Sequence, residues 1–465
     1  MLWYYSGGEH TIGKRGGAMT ENPFFHRGPI RDPAYFYNRK REVKWVLEML
    51  GKGQSVSITG PRKVGKTSLL FHISRPEVMQ QHGVDPARYL FVYFDCEGLG
   101  SLKQEEFYAL ILEQIADRAA QQGYALAESG RSISYLEFER ILRKACEHGF
   151  KVALLLDEFE LLGSGQDRGG EFLAGLRALA TKFGIAYLTA SQRRLAAFTG
   201  QHSPFFNIFV PLRLGLFDRV DSLQMMEESL AKGGTALRPE VINHILELGG
   251  RHPFFLQVVG YSALELQAAK GAALDRKDFR TLAQNVRVQV ESHFEYYWRH
   301  LTPRERYVLA ALSLTQEEEM YREELESLVC LCLIVKENAH YTYFSPLFRD
   351  FMRRQKVENL LQAGPFVLST IHRQILLREK LLPLSTTQFA LLSYLMERQG
   401  QVVSNEELDR EVMGTSSEEQ QKYEYLSDER LKSAIKGLRK ALGREAGCIV
   451  NKRGVGYIFR LPAEE

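Results

Sequence analysis

The stretch that decides the fold runs Gly60-Pro61-Arg62-Lys63-Val64-Gly65-Lys66-Thr67-Ser68. Its spacing is G-x-x-x-x-G-K-[ST], and its neighbours suit that pattern. Ser55-Val56-Ser57-Ile58-Thr59 before it reads as a short buried strand, and Ser68-Leu69-Leu70-Phe71-His72-Ile73 after it as a helix. A strand ending in such a loop turns successive backbone N–H groups and a helix N-terminus toward anionic phosphate. Every residue from Gly60 to Ser68 is a candidate nucleotide contact. Lys66 is expected to reach the β- and γ-phosphates and Thr67 to ligate Mg²⁺. The expected ligand is a nucleoside triphosphate with its Mg²⁺.

A second apolar strand, Lys151-Val152-Ala153-Leu154-Leu155-Leu156, runs into Asp157-Glu158. Two carboxylates at that strand's C-terminal edge fall beside the phosphate loop. Asp157 suits the Mg²⁺ sphere, and Glu158 suits orienting and deprotonating an attacking water. Glu158 and Glu160 also fit the acidic start of a helix, where the macrodipole favours negative charge. The next strand, Ile185 to Ala190, leads into Ser191-Gln192-Arg193-Arg194. Arg193 is the candidate γ-phosphate sensor, with Arg194 or plain surface charge as the alternatives.

Apolar strands at Tyr89–Asp95 and Phe209–Leu214, joined to the others through helical segments, imply a parallel sheet covered on both faces. From Asp221 to Leu301 the pattern is helical. Gly249-Gly250 closes one helix there and Pro253 opens the next. Thr302-Pro303-Arg304-Glu305 forms a capping box that opens a small unit ending in strand-like Tyr341–Phe344, a winged-helix pattern. The acidic run Glu317-Glu318-Glu319 argues against DNA for that unit and makes it a spacer. Glu358–Gly364 reads as a linker, followed by short strands, a helix over Thr387–Arg398 and a second capping box at Ser404. A polar loop, a helix over Asp428–Leu442 and a hairpin around Gly454 end the chain.

The expected fold is α/β: a P-loop NTPase with a parallel sheet, then a helical lid and two winged-helix domains. Its divisions are a disordered tail (1–21), a nucleotide-binding domain (22–220), a lid (221–300), a first winged helix (301–357) and a terminal winged-helix domain (358–465). Recognisable pattern starts at Asn22, which makes Met19 a candidate start alongside Met1.

Composition narrows the class. With 465 residues, about three domains are expected. A net charge of +3 does not by itself point to nucleic acid, so any basic surface must be local. The five cysteines lack C-x-x-C spacing, which favours reduced thiols in a cytoplasm over disulfides or structural zinc. No apolar run approaches the roughly 18–20 residues a membrane span needs.

Two resemblances follow from these motifs. The P-loop, the Leu-rich strand with Asp157-Glu158, and Gly250-Arg251-His252-Pro253 resemble the STAND branch of AAA+-like ATPases. Asn22-Pro23-Phe24, Gly28-Pro29-Ile30 and Ser203-Pro204-Phe205-Phe206-Asn207 look like that group's flanking signatures. The resemblance implies an ATP-gated switch between closed and open forms, often oligomeric when active. It also implies that Arg39, His252 and Pro253 close around the nucleotide. Asn38 departs from the group, which commonly has glycine before the arginine.

Residues from about Gly364 to Pro462 resemble the OmpR/PhoB-type winged helix of response-regulator effectors, through Leu384–Phe389, Gly400–Ser404, Leu438–Leu442 and Arg453–Tyr457. Independently, Leu431, Ile435, Leu438 and Leu442 form a core stripe on the Asp428–Leu442 helix, while Lys432, Lys436 and Lys440 line another face. Those lysines, Arg430 and Arg439, with Lys452 and Arg453 in the wing, are the candidate DNA contacts. Gly437 stands where an arginine is common. The favoured reading is an ATP-controlled, slowly hydrolysing DNA-binding regulator; the alternative is an ATP-driven oligomeric scaffold whose last domain binds protein.

Overall fold

The structure is a computed structural model and describes residues 22–24, 28–99, 102–126, 132–163, 170–193, 204–315, 319–338, 340–378, 380–414 and 424–461. The expected N-terminal tail, Arg194, Ser203, Glu317, Glu318 and the polar loop 415–423 lie outside these residues.

Five strands, β1 (Ser55–Thr59), β2 (Tyr89–Asp95), β3 (Lys151–Asp157), β4 (Ala186–Ser191) and β5 (Phe209–Arg213), form one sheet in the order β2-β3-β4-β1-β5. Every pairing in it is parallel. Such a sheet must bury both faces, because its crossovers lie on them. One face packs on helices Lys40–Gly51 and Lys66–Ile73 through Val46, Leu47, Leu69 and Leu70. The other packs on helices Gln104–Gln121, Tyr135–Glu147 and Gly170–Phe183. Strand β3 therefore runs apolar on both sides, β1 and β4 are buried with Ser55, Ser57, Thr189 and Ser191 among their apolar residues, and the strands' C-terminal ends converge on one edge. That edge carries the phosphate loop and Asp157.

The lid helices Arg219–Lys232, Pro239–Gly249, Pro253–Lys270 and Phe279–Arg299 share one continuous core with the first winged helix. Gly250 ends the second of these with φ at 59°, and a Cβ there would overlap the carbonyl oxygen of Phe344. Glycine thus lets the lid turn lie against the end of the first wing, whose hairpin is β6 (Ile334–Glu337) and β7 (His340–Tyr343).

The expected linker is instead a strand. Leu360–Ala363 is β8, and it pairs with β9 (Phe366–Ser369), which pairs with β10 (Gln374–Leu377) and then β11 (Lys380–Leu381), all antiparallel. Successive side chains of a strand point to opposite faces, and here both faces are apolar. Leu360, Val367 and Leu376 pack into the lid and first-winged-helix core. Ala363, Phe366, Leu368 and Ile375 pack into the core of the terminal domain. The sheet is a shared layer between the two winged helices.

In the terminal domain, helices Thr386–Glu397, Asn405–Val412 and Glu424–Leu442 pack on β12 (Val403–Ser404), β13 (Ile449–Lys452) and β14 (Gly456–Phe459). The Ser404 cap holds one half of its expected box, accepting from the Glu407 N–H. The Glu407 carboxylate turns instead to Tyr394 and Arg398. All five cysteines are free thiols. Among the described residues, no helix is long and apolar enough to cross a membrane.

Candidate functional site

At the C-terminal edge of the parallel sheet lies a cavity of about 530 Å³. Arg62 to Ser68 of the phosphate loop form its floor, and Asp157 and Glu158 form one side. Lys66 is buried at 5% exposure, and its Nζ donates to the carbonyls of Gly60 at 3.0 Å and Pro61 at 3.1 Å. Burial pulls its pKa down, opposed by the carboxylates of Glu158, Glu160 and Asp157. A desolvated ammonium held by neutral carbonyls leaves its charge unneutralised, the electrostatic demand that a phosphate meets.

Asp157 is buried beside Thr67, whose hydroxyl donates to its Oδ2 at 2.6 Å. Tyr93 donates to the same oxygen at 3.1 Å. Burial, and then the Asp157 charge, push the Tyr93 phenol up, so it stays a donor. A hydroxyl and a carboxylate are hard oxygen ligands of the kind Mg²⁺ takes in company with substrate phosphates and water. No group of three or more His, Cys, Asp or Glu among the described residues forms a cage for a metal ion. The residues fit Mg²⁺ held jointly with phosphate.

Glu158 follows with φ at 48°, a left-handed conformation that a non-glycine residue adopts rarely. Burial raises its pKa, reinforced by Glu160 and Asp157 and opposed by Lys66 and Arg62. A carboxylate with a raised pKa in a partly dried site is a better proton acceptor. Glu160 lies outside the cavity wall, and its Oε1 accepts from the Gln192 N–H at 3.0 Å.

The opposite wall is apolar and comes from two directions. Ile30, Tyr35, Phe36 and Tyr37 arrive from the segment before the first helix; Phe217, Met225, Pro253, Phe254 and Gln257 arrive from the lid side. The Ile30 N–H donates to Ser68 Oγ at 2.9 Å, and Phe36 stacks on His72 at 3.9 Å, fastening that segment to the phosphate-loop helix. Arg39 is on the wall, its guanidinium held by the Gly215 carbonyl at 2.6 Å and Glu42 at 3.0 Å. Asn38 accounts for its own departure: it has φ at 61°, the conformation glycine would serve, and its amide donates to the Asp221 carbonyl at 2.6 Å.

Two expected site residues are placed elsewhere. His252 takes the N-cap position of helix Pro253–Lys270, without a side-chain capping bond, but lies behind the wall at 1% exposure with both ring nitrogens buried. Burial, then Arg39 and His293, push its pKa down to about 3, so it is neutral. Arg193 is not on the wall either. Its two terminal nitrogens grip Glu305 of helix Pro303–Ala310 at 2.8 and 2.9 Å. Ser327 and the Thr302 N–H also donate to Glu305, at 2.6 and 2.8 Å. Burial alone would raise this carboxyl; those donors hold it down at about 2.

Sequence reasoning missed Tyr296 and Tyr297. Arg62 lies over the Tyr296 ring at 4.4 Å, and the Tyr297 hydroxyl donates to the Arg62 carbonyl at 3.0 Å. Gln192 donates to the Tyr296 hydroxyl at 3.0 Å. The two tyrosines sit in a helix whose amphipathic pattern reads as ordinary core, so no local signal marks them.

In the terminal domain Leu431, Ile435, Leu438 and Leu442 are buried, and Arg430, Lys432, Lys436, Lys440, Lys452 and Arg453 are exposed. Arg439 differs: it donates to the Ile449 carbonyl at 2.8 Å and lies over Tyr457, tying the helix to the wing. At Gly437 a Cβ would come within 2.8 Å of Gln388 Nε2, the movable end of a side chain on the Thr386–Glu397 helix.

Residues 46–317, more than half of the chain, match the family model described as Novel STAND NTPase 2. Residues 378–459 match that of the C-terminal domain of transcriptional regulatory proteins. No curated protein matches the chain. Among solved structures, the Walker-type ATPase PABY2304 of Pyrococcus abyssi is similar at a TM-score of 0.53 and 18% identity, covering 71% of this chain and 99% of its own. The ORC2 protein of Aeropyrum pernix, in its ADPNP–ADP complexes, has a TM-score of 0.49 and 16% identity over 71% of this chain and 97% of its own.

Proposed function

Because the chain belongs to the Novel STAND NTPase 2 family and ends in the DNA-binding domain of a transcriptional regulator, we propose that it is a switch. ATP binds, is hydrolysed slowly, and sets how the terminal domain meets DNA. Lys66 and the loop N–H groups bind the phosphates, Thr67 and Asp157 hold Mg²⁺, and Glu158 takes the water's proton. The metal supplies charge neutralisation between phosphate oxygens. Pro253, Phe254 and Gln257 carry the lid's share of the cavity, so a nucleotide touches both bodies. Arg193 in this reading is parked on Glu305 and is released toward the γ-phosphate when the domains rearrange.

The observation that carries the reading is a single eight-residue helix, Pro303–Ala310. On one side its Glu305 holds Arg193, next to the Gln192–Tyr296–Arg62 run from the phosphate loop. On the other its Tyr307 hydroxyl meets Ser369 at 2.7 Å and His372 at 2.8 Å, in the sheet shared with the terminal domain. One rigid element thus touches both the nucleotide apparatus and the DNA-binding unit. The DNA contacts in this reading are Arg430, Lys432, Lys436, Lys440, Lys452 and Arg453, with Arg439 bracing the wing. Nucleotide-dependent self-association and a reducing, cytoplasmic setting belong to the same proposal.

The test is fluorescence anisotropy on duplex DNA with ATP, with ADP and without nucleotide. Coupling of about 1–3 kcal/mol between ATP and DNA is expected, equal in both directions by linkage. Equal DNA affinity in every nucleotide state refutes the switch, and no affinity in any state refutes the DNA partner.

A further inference from the structure

A second cleft, of about 700 Å³, opens between the first winged helix and the terminal domain. Arg349, on helix Pro346–Met352, and Ser313 line it from one side. Gln362 of β8, Arg378 and Glu445 line it from the other. Arg378 is neutralised by Glu445 at 2.6 Å. Arg349 is not neutralised: its Nε is buried without a hydrogen-bond partner, and among the described residues no carboxylate pairs with it. Gln362 spends its amide N–H on the Ala310 carbonyl at 3.3 Å and leaves its Oε1 buried without a donor.

Arg349 is half-buried; a guanidinium Nε shut off from water with no acceptor is costly, and so is a buried carbonyl oxygen with no donor. Both residues line one cavity of the size that holds small organic ligands. From this we propose that the cleft binds a small organic oxyanion that also carries a hydroxyl or amino donor. Arg349 takes the anionic head, for which its fork geometry is suited, and Gln362 accepts from the donor. The ligand would touch both winged helices at once, which makes the cleft an input site separate from the nucleotide cavity. The proposal does not rest on nucleotide binding.

The experiment titrates the full chain calorimetrically with mandelate, benzoate and phenyl phosphate, with benzyl alcohol as the neutral control. At least one oxyanion saturates at one site per chain, with mandelate tighter than benzoate and benzyl alcohol silent. Arg349→Gln weakens that binding at least tenfold. On the unmodified chain, the same probe slows phenylglyoxal modification of Arg349, read by mass spectrometry, so the result does not depend on the variant folding. Failure of all three oxyanions to saturate overturns the proposal. Equal binding to Arg349→Gln, or no protection of Arg349, overturns it as well, because the oxyanion then sits elsewhere.

Discussion

Replacing Glu305 by glutamine tests how firmly the nucleotide domain is fastened to the first winged helix. Glutamine serves the capping box as well as glutamate does, so the change leaves helix Pro303–Ala310 capped and removes only the charge facing Arg193. The Glu305 carboxyl is held at about 2 against an ordinary 4.5. That corresponds to about 3 kcal/mol of preference for the charged form. The Arg193 side chain remains 30% exposed, so water screens part of this interaction, and about 2 kcal/mol is the expected coupling. A double-mutant cycle of Glu305→Gln with Arg193→Met, followed by denaturant unfolding, isolates that coupling. The pH dependence is a second readout. A carboxyl whose folded value lies below its unfolded one stabilises fully above about 4.5 and loses that contribution as pH falls toward about 2. Glu305→Gln therefore flattens the acid limb of stability between those values. A coupling under about 0.5 kcal/mol, or an unchanged acid limb, refutes the reasoning.

The nucleotide cavity yields sharper changes. Lys66→Ala abolishes calorimetric ATP binding, because the phosphate charge then loses the buried ammonium of the loop; unchanged affinity removes the central reading. Glu158→Gln binds ATP normally and hydrolyses it at least about tenfold more slowly in a phosphate-release assay, since an amide cannot take the water's proton. Lys436→Glu with Arg453→Glu eliminates DNA binding by anisotropy, with a shallower salt dependence in whatever remains, while ATP binding persists. Gly250→Ala, at positive φ and against the Phe344 carbonyl, lowers stability by about 2 kcal/mol or more in thermal unfolding.

What could be read from the sequence was what is encoded locally. The strand–loop–helix around Gly60–Ser68 and the strand into Asp157 have their signals within a few residues, and the core stripe of Glu424–Leu442 repeats every three or four. Asp157 and Thr67 are 90 positions apart, yet the parallel sheet brings them to one edge, and the motif pair anticipates that. Arg193 and Glu305 are 112 positions apart and share no motif, so nothing local says that the expected sensor is held by a carboxylate. His252 was expected at the cavity, but the local helix start says only where the chain turns, not which side of the wall the ring occupies. The linker reading failed for a related reason. Leu360–Ala363 is too short to show a period, and its partner layers lie in two different domains.

That shared layer bears on how the protein can be cut. A fragment beginning at residue 364 removes β8 and leaves β9 as an open edge with unpaired backbone groups. It also uncovers Val367 and Leu376, whose partners belong to the first winged helix. Such a piece would expose a flat apolar face beside a free strand edge, a recipe for self-adhesion rather than clean DNA binding. Starting instead near Phe217 retains β8 and the core of lid and first winged helix that covers that face, so the useful dissection point lies far upstream of where the terminal fold begins.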